Sequence, residues 1–461
     1  MRDLCLVLVV SAALASSGEL ALAQQPPPEL PRAPSLPEEP AAEGEPDLQG
    51  QIDQLRAELR RAQEERMREV SPLSLNGYVD FGFFVPVGNN GVGWIQDYGN
   101  RILPEPPYNQ YTWTFLGDIL GTPVNSRGEA ADLGTAPNVD RFDSVHSGGK
   151  PGFIANEVNF RLQYQLAERA ILRAGIDFVP RSARQDFALG DFIDVDLAEL
   201  EYLLTADGKT SIWFGKVLPV FGIEYKERKS DQRFGITPSL VHRYTAESQL
   251  GVKLRSKLLR DWVIVAVSAT NNSSGTEQFH FHSEIDRNSG KMLNGRLALS
   301  IPVGELLTRL GGAHLELGGS AEWGPQDWAS TNDGDLWLAG VDLQYLSANV
   351  NLKAQIMRGK APGRVEDRAW RLDLHDSGYV ELDWQFLPFL GVLVRAERRD
   401  AVVTLGMERL YLTKQYRYTG GLRVVFNPHV VAKAEYLHNQ EYGGIPQFNN
   451  DVFTTSLVLS Y

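Results

Sequence analysis

From Pro72 to Tyr461, apolar and polar side chains alternate residue by residue in short runs, the two-residue period of a β-strand. The closing run, Asp451 to Tyr461, is the clearest. Phe453, Thr455, Leu457, Leu459 and Tyr461 share one face; Thr454, Ser456 and Ser460 share the other, with Val458 as the exception. The opening run, Leu73 to Val87, sets Leu75, Val79, Phe81, Phe83 and Val85 against Asn76, Tyr78 and Asp80. In the next two, Val158, Phe160, Leu162, Tyr164 and Leu166 oppose Asn159, Arg161 and Gln163, and Leu172, Ala174, Ile176 and Phe178 oppose Arg173 and Asp177. Further strands are expected near 194–204, 210–218, 246–257, 262–270, 290–301, 313–323, 336–345, 350–358, 377–386, 392–399, 416–426, 430–438 and 451–461. The total is about sixteen.

The connections between these runs alternate long and short. Long ones fall at about 88–150, 180–193, 219–245, 271–289, 324–335, 359–376, 400–415 and 439–450, and short ones at about 167–169, 205–209, 258–261, 302–312, 346–349, 387–391 and 427–429. A barrel in an outer membrane has this rhythm, with short periplasmic turns and long outer loops. An even strand count puts both barrel ends on the periplasmic side. No apolar run after Ala23 is long enough for a helical span. In lipid every backbone polar group needs an internal partner, so the sheet must close. The expected fold class is all-β: a closed antiparallel transmembrane β-barrel of about sixteen strands, preceded by a short coiled-coil helix.

Aromatic residues stand where lipid-facing girdles belong, at Trp384, Phe386, Tyr416, Tyr418, Tyr436 and Tyr461. The opposite faces are charged. Arg161, Arg173, Lys253, Arg255, Arg296, Lys353, Arg395, Arg423 and Lys433 are balanced by Asp80, Glu316, Asp342, Glu381, Asp383 and Glu435. So many strands enclose more space than side chains fill, and the interior is expected to hold water.

The residues before the barrel divide into three. Residues 1–23 have the form of a secretory signal, with Arg2, an apolar core from Leu4 to Ala15 and Ala21-Leu22-Ala23 at the cleavage site. Residues 24–47 are proline-rich and form an extended tether. In residues 48–71, Leu48, Ile52, Leu55, Leu59 and Ala62 follow heptad spacing, either a short periplasmic coiled coil or a lone helix capping the barrel. Residues 72–461 are the barrel. Cys5, the one cysteine, lies inside the signal, so no disulfide, thiol nucleophile or cysteine metal site is expected. The net charge of −13 argues against a general nucleic-acid partner.

A signal peptide, a short heptad helix, Leu75-Asn76-Gly77-Tyr78 at the barrel opening and an aromatic closing strand resemble the trimeric outer-membrane porins. Three stretches resemble the phosphate-selective porin superfamily: Phe214-Gly215-Lys216, Pro219-Val220-Phe221-Gly222-Ile223-Glu224, and Phe426-Asn427-Pro428-His429 running on through Lys433 to Tyr436. The resemblance covers residues 48–461 in layout and only these stretches in motif. It implies a homotrimer, and a ladder of cations along a constriction. Lys226, Arg228, Lys229 and Arg233, followed by Arg243, Lys253 and Arg255, are the match. Glu224, Glu227 and Asp231 are interleaved with them, so a solvated outer loop paired within itself is the other reading. No ion is named.

The expected function is a porin for passive diffusion of small polar or ionic solutes; the alternative is an anchor linking envelope layers through the coiled coil. Channel-lining or constriction candidates are Asp80, Arg161, Arg173, Lys226, Arg228, Lys229, Arg233, Lys253, Arg255, Arg296, Lys353, Glu381, Asp383, Arg395 and Lys433. Expected partners are outer-membrane lipid of a Gram-negative bacterium, two further copies of the chain, and the barrel-assembly machinery through the strand ending at Tyr461. No catalytic motif, cofactor or metal site is expected. The aromatic-rich connection 88–150 is expected to be ordered, in the lumen or against a neighbouring subunit. His280, His282 and Glu284, and the pair Asp140 and Asp143, are read as loop and turn residues rather than metal ligands.

Overall fold

The structure, a computed structural model, describes residues 72–86, 152–178, 193–246, 248–271, 289–306, 312–325, 335–365, 368–405, 408–441 and 451–461. The readings for residues 1–71, for 88–150 with Asp140 and Asp143, and for His280, His282 and Glu284 lie outside the described residues.

Sixteen strands close into one antiparallel barrel in which each pairs with its neighbours in sequence. They are β1 (Leu73–Pro86), β2 (Gly152–Ala167), β3 (Ala170–Phe178), β4 (Ile193–Leu203), β5 (Thr210–Val217), β6 (Gln249–Leu258), β7 (Val263–Thr270) and β8 (Met292–Ile301). The ring continues with β9 (His314–Pro325), β10 (Asp335–Leu346), β11 (Val350–Val365), β12 (Arg368–Leu387), β13 (Leu390–Leu405), β14 (Glu408–Asn427), β15 (Val430–Glu441) and β16 (Val452–Ser460). β16 closes the ring on β1 with Val79 opposite Leu459 and Phe81 opposite Leu457, and the Tyr461 N–H donates to Gly77 O at 3.1 Å.

Alternation decides which side chains turn inward. Phe453, Leu457 and Leu459 face out, while Thr454, Ser456 and Val458 are buried inside. Val458 follows its polar neighbours because a strand turns every second residue the same way whatever its chemistry. Outward aromatics gather near both ends of the wall. Trp384, Phe386, Phe389, Phe426 and Tyr461 lie by the short turns, and Trp323, Trp337, Tyr418, Tyr436 and Phe153 by the long connections, with aliphatic residues such as Leu297, Val341 and Val394 between. This is the exterior of a barrel in lipid.

Two long connections expected at 359–376 and 400–415 are strand instead. β11 runs on to Val365 and pairs there with Arg368 of β12, and β13 pairs to Leu405 with Glu408 of β14. Beyond the apolar belt the outward residues of these tall hairpins become charged: Arg358 pairs with Asp376 at 3.0 Å, and Arg398 with Asp400 at 3.4 Å. The sequence hid them because Gly359, Pro362 and Gly363 interrupt β11 and register shifts at Met357/Gly359 and His375/Gly378 break the phase of the two-residue period. The connection between β8 and β9 holds a single helical turn, Val303–Leu306.

Candidate functional site

The segment 218–248 between β5 and β6 turns into the barrel. It starts through the Pro219–Glu224 motif, where Gly222 takes φ +67° and a Cβ would come 2.6 Å from Gln355; only glycine fits there. Phe221 packs against Gly340 of β10, where an added Cβ would lie 3.1 Å from the ring. Two 3-10 turns follow, Glu224–Glu227 and His242–Tyr244. Val220, Phe221, Ile223, Ile236, Leu240, Val241 and Tyr244 are buried. The segment is therefore a packed element, not a solvated outer loop, and Lys226, Arg228 and Lys229 pair with the wall.

One flank of the loop rests on β1–β4 through side-chain charges. Lys229 Nζ reaches Glu157 at 3.1 Å, Asp196 at 3.0 Å and Asp177. Burial disfavours its charge, but Asp177, Asp196 and Glu157 outweigh that and hold the ammonium above the usual lysine range. Arg228 grips Asp196 with both guanidinium nitrogens, Nη2 at 2.6 Å. Ser230 Oγ donates to Asp80 at 2.5 Å, whose other oxygen accepts from Ser456 at 2.6 Å. Arg161 of β2 holds Asp231 bidentately, at 2.7 Å on each arm, and lies over the Tyr78 ring.

The other flank rests on β12–β15, where the wall reads the loop's backbone. Lys433 Nζ donates to three carbonyls, Ser230 O at 2.6 Å, Arg233 O at 2.7 Å and Gly235 O at 2.8 Å. Two residues on, and on the same face, Glu435 accepts from Ile236 N at 2.6 Å, Thr237 N at 3.0 Å and Thr237 Oγ1 at 2.7 Å. Arg395 donates to Thr237 O at 2.9 Å and Pro238 O at 3.2 Å. Arg417 donates to Pro238 O at 2.8 Å, and Glu397 accepts from Leu240 N at 2.7 Å and from Arg417 Nε at 2.6 Å. Within the loop, Glu224 accepts from Ser239 N at 2.8 Å and Ser239 Oγ at 2.6 Å. Burial raises its pKa, but His242 and Ser239 outweigh that and bring it down to about 2.

The remaining expected residues are placed as follows. Lys226 reaches Glu316 of β9 at 3.0 Å. Arg296 holds Asp342, and Glu316 at 2.8 Å. Lys353 joins Glu381 and Asp383 of the wall, the latter at 3.2 Å, to Glu227 of the loop. Those three carboxylates converge as a metal site could, but the Lys353 ammonium stands among them. Lys253 donates to Leu218 O at 3.0 Å and lies over the Trp213 ring. Arg255, half-buried, follows on the same face of β6. Arg173 pairs along the wall with Glu199 at 3.2 Å and Glu201 at 2.7 Å, away from the loop. Arg233 is buried.

Glu157, Asp196, Glu224, Glu397, Arg417, Ser230 and Ser239 were missing from the expected set. Strand parity already put Glu157 on the face of Arg161, and Glu397 on that of Arg395. What no pattern showed was that a loop lies against them.

No protein-family model matches the chain, and no curated protein matches it in sequence. Among solved structures it is similar to the outer membrane channel DcaP of Acinetobacter baumannii, at 10% identity and TM-score 0.47 over 84% of this chain and 97% of that one. It is similar to OmpF of Salmonella typhi in complex with daunomycin, at 11% identity and TM-score 0.47 over 84% and 97%. OprB of Pseudomonas putida follows at 10% identity and TM-score 0.45 over 84% and 94%. At this level the likeness carries no residue correspondence.

Proposed function

We propose that this chain is an outer-membrane porin, a channel through which small polar or ionic solutes diffuse passively, with the 218–248 loop setting its constriction. One observation carries the reading: an apolar, aromatic-edged exterior encloses a charged interior in which a loop is fixed from both flanks. A barrel that only anchored the chain in lipid would need no charged interior and no built loop. Solutes would pass between the loop and the wall, where Arg255, Lys226, Arg161 and Arg423 keep partial exposure, and local charge would select among them. The chain would be exported by its N-terminal signal, stand with both barrel ends in the periplasm and assemble as a homotrimer.

The phosphate-type reading is not favoured. Lys226, Arg228 and Lys229 each have a wall carboxylate at hand, so they present no unpaired cationic ladder. The test is single-channel conductance of the purified full chain in a planar bilayer, with a salt gradient to read the reversal potential. Steps arriving in threes are expected. Silence from well-folded protein would overturn the channel reading in favour of an envelope anchor.

A further inference from the structure

Each interior acid named so far has at least one donor. Glu322 of β9 does not: it points into the barrel at 1% exposure, and neither carboxylate oxygen has a hydrogen-bond partner. Its register partner on β8 is Asn294, whose amide nitrogen donates to Thr270 Oγ1 at 3.3 Å while its oxygen stays without a donor. Next along the row, opposite Asn294, is Ser268 of β7, its hydroxyl also unpartnered. On the other side Glu322 faces Leu338 of β10; Leu338, Leu336 and Met292 are all buried.

Two cations of this interior face are engaged elsewhere. Lys253, opposite Ser268, is spent on Leu218 O and the Trp213 ring. Arg296, two residues from Asn294 on the same face, is spent on Asp342 and Glu316. Glu322 and Asn294 therefore present three acceptor oxygens that no group of the row donates to, with leucine and methionine beside them. A carboxyl buried there needs a proton or a cation to offset its charge, and the low polarity of its neighbours strengthens its pull on either.

We infer that Glu322 and Asn294 form a binding site for a compact monovalent cation, an alkali ion or the ammonium head of a small amine. Neighbouring strands lie about 4.8 Å apart, so one ion placed between them meets both side chains. Compactness follows from the burial of Glu322: both oxygens are closed to solvent, so the side chains must part to admit an occupant and only a small one fits. Single charge follows from the ligand set: hard divalent ions gather roughly six or more oxygens with several carboxylates, and Glu322 is the one carboxylate among Ser268, Asn294, Glu322 and Leu338. The inference rests on the channel reading only for the route by which the ion arrives.

The test is diffraction from crystals of the full chain soaked in thallium(I), whose anomalous signal marks a monovalent site. Density is expected between Glu322 and Asn294. It should vanish in Glu322→Gln, which keeps the shape of the side chain, and weaken in Asn294→Leu. Soaks with added potassium or methylammonium distinguish the two sources: displacement by either supports the site and names which it prefers. No density in the wild type, density that persists in Glu322→Gln, or density that neither ion displaces would overturn it. Conductance recorded in parallel separates this proposal from the channel reading. Silence with thallium bound overturns the channel and leaves the site, and steady current without thallium does the reverse.

Discussion

The two flanks that hold the 218–248 loop use opposite chemistry. On β1–β4 the loop supplies the cations and the wall the carboxylates, so Lys229 sits among Glu157, Asp177 and Asp196. On β12–β15 the wall supplies both signs and grips the main chain, with Lys433 on three carbonyls and Glu435 on two amides and a hydroxyl. The first flank specifies side chains of the loop. The second specifies its path, because a backbone carbonyl or amide presents the same group whatever the residue. Removal of side-chain charge should therefore matter at 228–231, whereas over 233–238 the constraint is on shape: Gly235 has no room for a Cβ, and Ile236 and Thr237 are fully buried.

The largest expected break is Lys229→Met. It leaves Glu157 and Asp177 buried without their cation and Asp196 with Arg228 alone, and removal of one partner from a buried charge network costs about 3–5 kcal/mol. Denaturant unfolding of the refolded barrel measures it. Because the change also leaves uncompensated negative charge beside the loop, the reversal potential should move toward cation preference. An unchanged reversal potential in a well-folded Lys229→Met barrel would show that this flank does not face the solute path.

Lys433→Met should cost less, about 2–3 kcal/mol, since the three carbonyls it abandons are neutral. Its signature is in the loop rather than the charge: open-channel noise should rise as the 230–235 segment loses its fixed point. Lys433→Arg sharpens the contrast. It keeps the charge but replaces three donors on one nitrogen with a planar fork, so noise should rise with little change in selectivity.

A smaller and pH-dependent effect belongs to Glu224. Its carboxyl titrates at about 2 instead of its ordinary 4.5, so its charge stabilises the fold above pH 4.5 and that contribution fades as pH falls toward 2. Wild type should lose stability across this window, and Glu224→Gln should lose less while starting lower at neutral pH. Equal acid profiles in the two proteins would remove Glu224 from the loop's support. The smallest effect is at Lys209, whose partner Asp261 lies 2.9 Å away on the exposed turns. Solvent screens that pair, and Lys209→Ala should leave unfolding unchanged.

Much of the barrel was legible before any coordinates. Alternation located sixteen strands, all but β11 to β14 within a few residues of their ends, because in a wall with lipid on one side a register slip would turn every apolar residue the wrong way. Parity also put Arg395, Lys433, Lys353 and Arg296 on the interior face. The tall hairpins β11–β12 and β13–β14 were underread, since glycine, proline and register shifts within them break the phase of the period.

The site itself was legible only as a set of charges. In the sequence, Lys226, Arg228, Lys229 and Arg233 look alike, cations in a polar connection between strands. Their partners Glu157, Asp177 and Asp196 lie tens of residues away on other strands, and Lys433 meets the loop about two hundred residues on in the chain, through carbonyls that no side-chain pattern encodes. The sequence by itself determined the period, the strand count and which face of each strand is charged, because these follow from neighbours along the chain. Only the closed tertiary structure decided that the β5–β6 connection turns inward, that its cations are paired, and that Glu322 is left without a partner. Those outcomes depend on which groups close approach brings together across the interior.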